Sequence, residues 1–162
     1  MSKFRIGYSR DIHLLVANRP LLLGGVLIDY HLGFKAHSDG DIVLHALTES
    51  ILGALALGDL GSHFPDTDST YLNKDSTYFL NYALNKLEQH QYIIANLDIS
   101  IALEKPKLQP YIEKIRQSLA DKTKLQLHQI SIKAMTNEGV DAIGKGLAAE
   151  AICLLLIEKI EK

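Results

Sequence analysis

Two separate segments of the chain carry imidazole and carboxylate side chains at spacings that suit a metal ion. Asp11 and His13 stand two residues apart just after the first predicted strand. If the chain is extended there, residues i and i+2 point to the same side. His45 lies near the start of an apolar helical pattern. Two imidazoles and one carboxylate make a three-ligand zinc set, with a fourth position open for water or substrate. The alternative for His45 is a hydrogen-bonded core histidine.

A second polar cluster follows the same helical pattern. It contains Asp59, Gly61, Phe64, Pro65, Asp66, Thr67 and Asp68. Glycine and short polar side chains let backbone amides approach sugar hydroxyls and phosphate oxygens. The same residue types also favour ordinary turns, and from the residues alone the two interpretations carry equal weight.

A third group of polar residues follows two predicted strands. Pro106 and Lys107 come after one strand, and residues 134–138 come after the other. Loops at strand ends are common ligand sites in α/β proteins, and Glu138 could ligate a hard cation such as Mg²⁺. The alternative for each residue is a solvated surface position. No Gly-x-Ser-x-Gly elbow is present, so we expect a reaction that needs no protein nucleophile.

Composition limits the class of protein. A chain of 162 residues with 47% hydrophobic and 22% charged residues fits one globular domain, residues 1–162. Its net charge of -2 does not favour a nucleic-acid partner. No apolar run reaches the ~18 residues of a membrane span, and no signal segment is evident, so we expect a cytoplasmic protein without a membrane partner. The single cysteine, Cys153, excludes an internal disulfide and favours a buried, inert thiol.

The hydrophobic periodicity predicts the elements that must position these groups. Strands are predicted near residues 4–8, 20–28, 92–103 and 129–134, and helices near residues 42–57, 75–89, 110–124 and 147–161. Asp39 or Asp41 can cap the helix that carries His45. This order predicts an α+β fold in which helices pack on one face of a mixed β-sheet. The opposite face would need cover, which partner subunits could supply.

Taken together, the motifs resemble the 2-C-methyl-D-erythritol 2,4-cyclodiphosphate synthase family of the non-mevalonate isoprenoid pathway. The resemblance covers nearly the whole chain. It rests on Asp11-x-His13, Leu23-Gly24-Gly25-Val26, His37-Ser38-Asp39-Gly40-Asp41-x-x-Leu44-His45-Ala46, Leu57-Gly58-Asp59-Leu60-Gly61, Phe64-Pro65-Asp66-Thr67-Asp68, Asp75-Ser76, Asn96-x-Asp98, Pro106-Lys107, Lys133-Ala134 and Glu138.

The resemblance implies a lyase that assembles as a homotrimer, with active sites between subunits. It implies Zn²⁺ on Asp11, His13 and His45, and a second divalent cation, Mg²⁺ or Mn²⁺, on Glu138 and the substrate. The implied reaction converts 4-diphosphocytidyl-2-C-methyl-D-erythritol 2-phosphate to the 2,4-cyclodiphosphate and releases CMP. A prenyl diphosphate in the central channel of the trimer is a further implied ligand.

The resemblance also implies roles for individual residues. His37 and Thr136 would stabilise the transition state beside the reacting phosphates. Substrate contacts would come from Asp11, His13, His37, Ser38, Asp59, Gly61, Phe64, Asp66, Asp68, Pro106, Lys107, Leu108, Ala134, Met135, Thr136, Glu138 and Lys145.

Several positions depart from the family's usual pattern. Ser9 stands where glycine is usual, so the zinc loop is expected to differ locally. Glu49 stands where aspartate is usual, and we expect it to accept a hydrogen bond from His45 one turn away. Met135 replaces a threonine. Lys145 and Leu147 replace an arginine and a glutamate that line the family's channel.

Two other functions remain open at this point. One is a metal-dependent hydrolase of a nucleotide or sugar phosphate, which would yield linear phosphates. The other is an inactive trimer that binds a metal or a prenyl phosphate. The departures favour the second, whereas the intact ligand set favours an enzyme.

Overall fold

The structure, a computed structural model, describes residues 2–65, 67, 69–71 and 74–160. Its strands are β1 (Phe4–Ala17), β2 (Leu21–Leu23), β3 (Val26–Ile28), β4 (Leu32–Phe34), β5 (Tyr92–Ala102), β6 (Ile130–Met135) and β7 (Ala148–Lys159). Its helices are α1 (Ile42–Ala54), α2 (Leu60–His63), α3 (Ser76–Gln89), α4 (Ile112–Thr123) and α5 (Asp141–Gly144). Short 3-10 turns cover Ser69–Tyr71, Gln109–Tyr111 and Leu127–Gln129.

Five strands form one mixed sheet in the order β4-β1-β7-β5-β6. β1 runs antiparallel to β4 and β7, β5 runs antiparallel to β7, and β6 runs parallel to β5. β2 and β3 form a separate hairpin. Helix α1 packs on β1 and β7, and α3 packs on α1. The predicted α+β fold with a mixed sheet is confirmed.

The predicted C-terminal helix is wrong, because residues 148–159 form β7 in the middle of the sheet. The segment is apolar on both faces: Cys153 and Leu155 are buried, and Leu154 between them is exposed. A continuous apolar run has no periodicity that separates a helix from a strand, and its alanines favoured the helix. Pairing with β1 on one edge and β5 on the other overrides that preference. Cys153 is buried, as predicted, and burial raises the pKa of its thiol to about 12.

The first predicted strand is much longer than expected. β1 continues from Phe4 to Ala17, so Asp11 and His13 lie within a strand paired with β7 rather than in a loop after it. Because β1 pairs with β7 without interruption along this stretch, the side chains of Asp11 and His13 lie on the same face of β1. Among the described residues, no helix is long and apolar enough to span a membrane.

The face of β1 opposite the helices is apolar and uncovered in one chain. Ile6, Tyr8 and Leu14 are 70%, 60% and 53% exposed. They alternate with inward positions such as Gly7 and Ser9, which are buried. Arg10 lies between Tyr8 and Leu14 on the same face and is exposed. Exposed apolar side chains grouped in this way mark interaction sites in soluble proteins.

Gly7 sets the approach of α1 to β1. A Cβ atom at residue 7 would lie 2.0 Å from the Ser50 carbonyl oxygen of α1, and a backbone atom cannot rotate away. We expect Gly7→Ala to lower the free energy of unfolding by ~2 kcal/mol or more, which corresponds to a fall in melting temperature of roughly 4–8 °C for a chain of this size.

Gly53→Ala is the matched control for Gly7→Ala. The nearest atom to a Cβ at residue 53 is the Tyr8 carbonyl oxygen at 4.0 Å, and alanine is favoured over glycine inside a helix. This variant should match or exceed the wild-type melting temperature. Thermal unfolding at equal protein concentration compares the three proteins, and equal values for Gly7→Ala and wild type would contradict the packing argument.

Candidate metal centre and active-site cleft

Two elements, β1 and α1, place the three predicted metal ligands. Asp11 and His13 come from β1, and His45 comes from the first turn of α1. Asp41 caps that helix, since its carboxylate accepts hydrogen bonds from the backbone amides of Val43 and Leu44. The same carboxylate accepts the Gly24 and Gly25 amides at 2.9 and 2.6 Å. The start of α1 is therefore fastened to the β2–β3 turn.

The ligand atoms of Asp11, His13 and His45 all lie within 4.8 Å of one another. His13 Nε2 is 3.2 Å and His45 Nδ1 is 3.1 Å from the same oxygen, Asp11 Oδ2. All three side chains are partly buried. The structure thus brings together three residues that the sequence separates by up to 34 positions.

Hydrogen bonds on the outer side of each imidazole determine which ring nitrogen carries a proton in the neutral ring. His13 Nδ1 lies 3.0 Å from the Lys35 carbonyl oxygen, which can only accept, so the Nε2 lone pair points into the site. His45 Nε2 lies 2.9 Å from Ser76 Oγ and 3.2 Å from Ser38 Oγ. Donation from Nε2 to these oxygens leaves the His45 Nδ1 lone pair directed at the site. Two free imidazole lone pairs and a carboxylate fit a divalent cation.

Asp11 and His13 each shift the pKa of the other. Burial alone would raise the pKa of the Asp11 carboxyl, but hydrogen bonds and positive charge from His13 and His45 outweigh it and lower that pKa to about 2. The hydrogen bond to Asp11 raises the pKa of His13. A metal ion needs the neutral ring, so protons compete with it increasingly as the pH falls through the raised pKa of His13.

A cleft of about 500 Å³ opens beside these ligands. Six predicted site residues line it, namely His13, His37, Ser38, His45, Gly61 and Phe64. Asp59 stands at its edge as the N-cap of α2, where its carboxylate accepts from the Ser62 amide and hydroxyl. Asp66 and Asp68 lie outside the described residues.

Sequence reasoning missed several residues of the cleft. Lys35, Ala36, Leu60, Ser69, Tyr71 and Phe79 also line it. Glu49 and Thr67, for which the sequence suggested other roles, line it too. Phe79 belongs to the inner face of α3, where the sequence pattern predicts a buried core residue and no functional role. Its edge-on contact with the His45 ring, with centroids 6.1 Å apart, depends on the packing of α3 against α1. No local pattern in the sequence signals that contact.

The expected hydrogen bond between Glu49 and His45 is wrong. Glu49 Oε2 instead accepts from the Ser9 hydroxyl at 2.7 Å, and Oε1 accepts from the Leu60 amide at 3.2 Å. Ser9 lies in the extended strand β1 and is not among the residues with positive φ, so the backbone at this position does not require glycine. Two departures from the family pattern thus pair with each other, and Glu49 joins the metal-bearing strand to the start of α2.

The remaining predicted residues gather at the far edge of the sheet. Pro106, Lys107 and the buried Leu108 follow β5, and Ala134 to Glu138 end or follow its parallel neighbour β6. The Leu103 amide donates to the Met135 carbonyl, which ties the two strand ends together. The Thr136 hydroxyl donates to Glu138 Oε1 at 2.7 Å. These residues form a second polar group at neighbouring strand ends. Lys145 is exposed just after α5.

The second group is well separated from the metal ligands within one chain. Ile12, next to His13, pairs with Glu150; Glu150 pairs with Ala102, and Ala102 pairs with Met135. Three interstrand spacings of ~4.8 Å place Met135 roughly 14 Å from Ile12. Among the described residues, the cleft lining includes none from the second group. Within one chain, the residues predicted for one active site thus fall into two separate groups, or partial sites, on opposite sides of the sheet centre.

Two histidines and an aspartate that converge beside a cleft suit a metal-dependent enzyme. The chain belongs to the YgbB family, whose model matches residues 4–158.

Comparison with known proteins agrees with this family. A protein of Brachyspira hyodysenteriae named 2-C-methyl-D-erythritol 2,4-cyclodiphosphate synthase is 50% identical over 155 residues, covering 96% of this chain and 98% of the relative. The Plasmodium falciparum IspF complex with CDP has a TM-score of 0.88 at 32% identity and covers 99% of both chains. The bifunctional IspDF of Campylobacter jejuni has a TM-score of 0.93 at 35% identity; the match covers 98% of this chain but only 43% of that one.

Proposed function

We propose that this protein is a lyase that converts 4-diphosphocytidyl-2-C-methyl-D-erythritol 2-phosphate to 2-C-methyl-D-erythritol 2,4-cyclodiphosphate and CMP in the cytoplasm. The observation that carries the proposal is the convergence of Asp11, His13 and His45 on one point beside a cleft. The names of the relatives supply the product, 2-C-methyl-D-erythritol 2,4-cyclodiphosphate, and the family resemblance implies the substrate. Neither the hydrolase alternative nor the inactive binding trimer finds support among those names.

The reaction is an intramolecular phosphoryl transfer. The 2-phosphate oxygen of the substrate forms a bond to the β-phosphorus, and the bond from that phosphorus to the α-phosphate oxygen breaks, so CMP leaves. The substrate supplies both nucleophile and leaving group, which agrees with the lack of an evident protein nucleophile. Catalysis then consists of positioning and charge stabilisation.

Asp11, His13 and His45 would hold Zn²⁺, and Glu138 would hold the second cation, Mg²⁺ or Mn²⁺. When bound, these cations polarise phosphate oxygens and neutralise developing charge. His37 and Ser38 of the cleft orient the phosphates beside the metal ligands. The Thr136 hydroxyl donates to Glu138 and so orients that carboxylate. The same hydroxyl would lie close to a phosphate held by the cation on Glu138.

The remaining predicted contacts divide between the two partial sites. Asp59, Gly61, Phe64, Asp66 and Asp68 hold the erythritol part. Pro106, Lys107, Leu108, Ala134 and Met135 hold the cytidine diphosphate part, largely through backbone groups. The Plasmodium falciparum IspF complex with CDP supports a nucleotide ligand of this kind.

The two partial sites are proposed to meet between neighbouring subunits of a homotrimer. The metal ligands lie toward the β4 edge of the sheet and Thr136 toward the β6 edge, so joining them across an interface makes a head-to-tail contact. Contacts of that type close into a ring when the rotation between neighbouring subunits closes, as the proposed trimer requires. The exposed apolar positions of β1 (Ile6, Tyr8 and Leu14) supply the surface to bury. Lys145 and Leu147, both exposed, offer a cation and apolar surface for a prenyl diphosphate in the channel.

Phosphorus NMR of one incubation tests the proposed reaction. With Zn²⁺ and Mg²⁺ present, we expect CMP and a cyclic diphosphate to appear in equal amounts as the substrate signals disappear. A phosphate hydrolase would give linear phosphates instead. An incubation with excess chelator is the control and should leave the substrate intact. Linear products alone would contradict the proposal.

A further inference from the structure

We propose that Ser76 and Asp39 are positioning residues that orient His45 and strengthen its bond to the metal ion. The inference rests on the proposed function in one respect, which is that a cation occupies the site formed by Asp11, His13 and His45. Neither residue lines the cleft, so both would act through His45 rather than on the substrate.

A chain of hydrogen bonds connects His45 at the metal site to Ser76, and Ser76 to Asp39. Ser76 is the first residue of α3 and is 0% exposed. Its Oγ lies 2.9 Å from His45 Nε2 on one side and forms a short hydrogen bond with Asp39 Oδ1 on the other. The Ser76 amide donates to Asp39 Oδ2 at 2.9 Å. Both oxygens of Asp39 are therefore engaged by one residue.

The protons in this line can be placed by counting donors. Asp39 also accepts the amide of Asp41 at 3.1 Å, so its carboxylate acts as an acceptor throughout. The single hydroxyl proton of Ser76 then points to Asp39, and its lone pair faces His45. Only Nε2–H of His45 can donate to that lone pair, which leaves Nδ1 free toward Asp11. The carboxylate polarises the hydroxyl and the hydroxyl polarises the ring, so Nδ1 becomes a stronger ligand.

Ser38 also lies near His45 Nε2, at 3.2 Å, but its position differs. It lines the cleft and accepts the Gly40 amide, and no carboxylate stands behind it among its described contacts. Ser76 is the partner that connects His45 to a negative charge. It also links α3, which supplies Phe79 to the cleft, with α1, which supplies His45.

The test measures metal affinity in the full-length protein. Zn²⁺ affinity is determined by competition with a chromophoric chelator, and the visible spectrum of the Co²⁺-loaded protein reports ligand geometry. We expect Ser76→Ala to bind Zn²⁺ about 10- to 100-fold more weakly and to change the Co²⁺ spectrum. Asp39→Asn, which keeps the shape and removes the charge, should weaken binding in the same direction and serves as the second variant if Ser76→Ala does not fold.

Ser50→Ala is the matched control. Ser50 is equally buried, and its hydroxyl bonds to the Ala46 and Cys153 carbonyls, away from the metal ligands. The Ser50→Ala variant should be less stable than the wild type, yet have the same Zn²⁺ affinity and the same Co²⁺ spectrum. If Ser76→Ala and Asp39→Asn match the wild type while His45→Ala loses the metal, the positioning role is overturned. If His45→Ala also binds like the wild type, the metal site of the proposed function fails, and this inference fails with it.

Discussion

Replacing His45 by alanine is expected to lower the rate of CMP release by ~10³-fold or more, because charge stabilisation by a bound metal ion contributes several kcal/mol to the transition state. The variant removes one of the two imidazoles that approach Asp11 Oδ2. It leaves two ligands, too few for a tight zinc site. The decrease should appear in kcat, since the developing charge is what the cation neutralises.

In the His45→Ala variant, the zinc content and the rate of CMP release should both fall. Native mass spectrometry counts bound zinc, and a discontinuous assay of CMP measures the rate. His31→Ala is the control, because His31 is an exposed histidine that does not line the cleft, and it should keep both metal and activity. Unchanged CMP release by His45→Ala would show that the proposed metal role is wrong.

Mixing two inactive variants is expected to restore activity if each active site forms between subunits. His45→Ala impairs the metal-binding part of the site, and Thr136→Val impairs the part beside Glu138. In a randomly mixed 1:1 head-to-tail ring, the chance that an interface joins two intact parts is one half times one half, so about a quarter of wild-type activity should return. A site formed within one chain would give no recovery.

Two measurements make this mixing experiment decisive. Mass spectrometry of differently tagged chains establishes that mixed oligomers form. His45→Ala mixed with Asp11→Ala is the control, since both changes affect the same part of the site and no interface can be intact. Mixed oligomers that stay as inactive as their parents would contradict the shared site.

Helices α1, α3 and α4 and the ligand types were predictable because each depends on local pattern. The apolar period around His45 predicts α1, and the i, i+2 spacing of Asp11 and His13 holds in the observed strand β1. The C-terminal segment was predicted wrongly because residues 148–159 are apolar on both sides. Only the neighbours β1 and β5 decide that this segment is a strand.

The hydrogen-bond partners of the site were less predictable than its ligands. Glu49 lies one helical turn from His45, which favoured a bond between them. Instead, the Ser9 hydroxyl of β1 donates to Glu49 Oε2, and the Leu60 amide at the start of α2 donates to Glu49 Oε1. Ser76 is 31 residues from His45, and its contact exists because α3 begins against α1. Spacing along one element predicts a shared face, but it does not predict which distant group arrives there.

By itself, the sequence determined the chemistry of the site: one carboxylate and two imidazoles, with no evident protein nucleophile, suited to a cation and a phosphorylated substrate. Residue types and short spacings carry that information because side-chain chemistry is local. The tertiary structure decided that these groups meet at one point, that Ser76 and Asp39 stand behind His45, and that Thr136 and Glu138 lie at the opposite edge of the sheet. Those outcomes depend on strand order and helix packing, which bring together residues from distant parts of the chain.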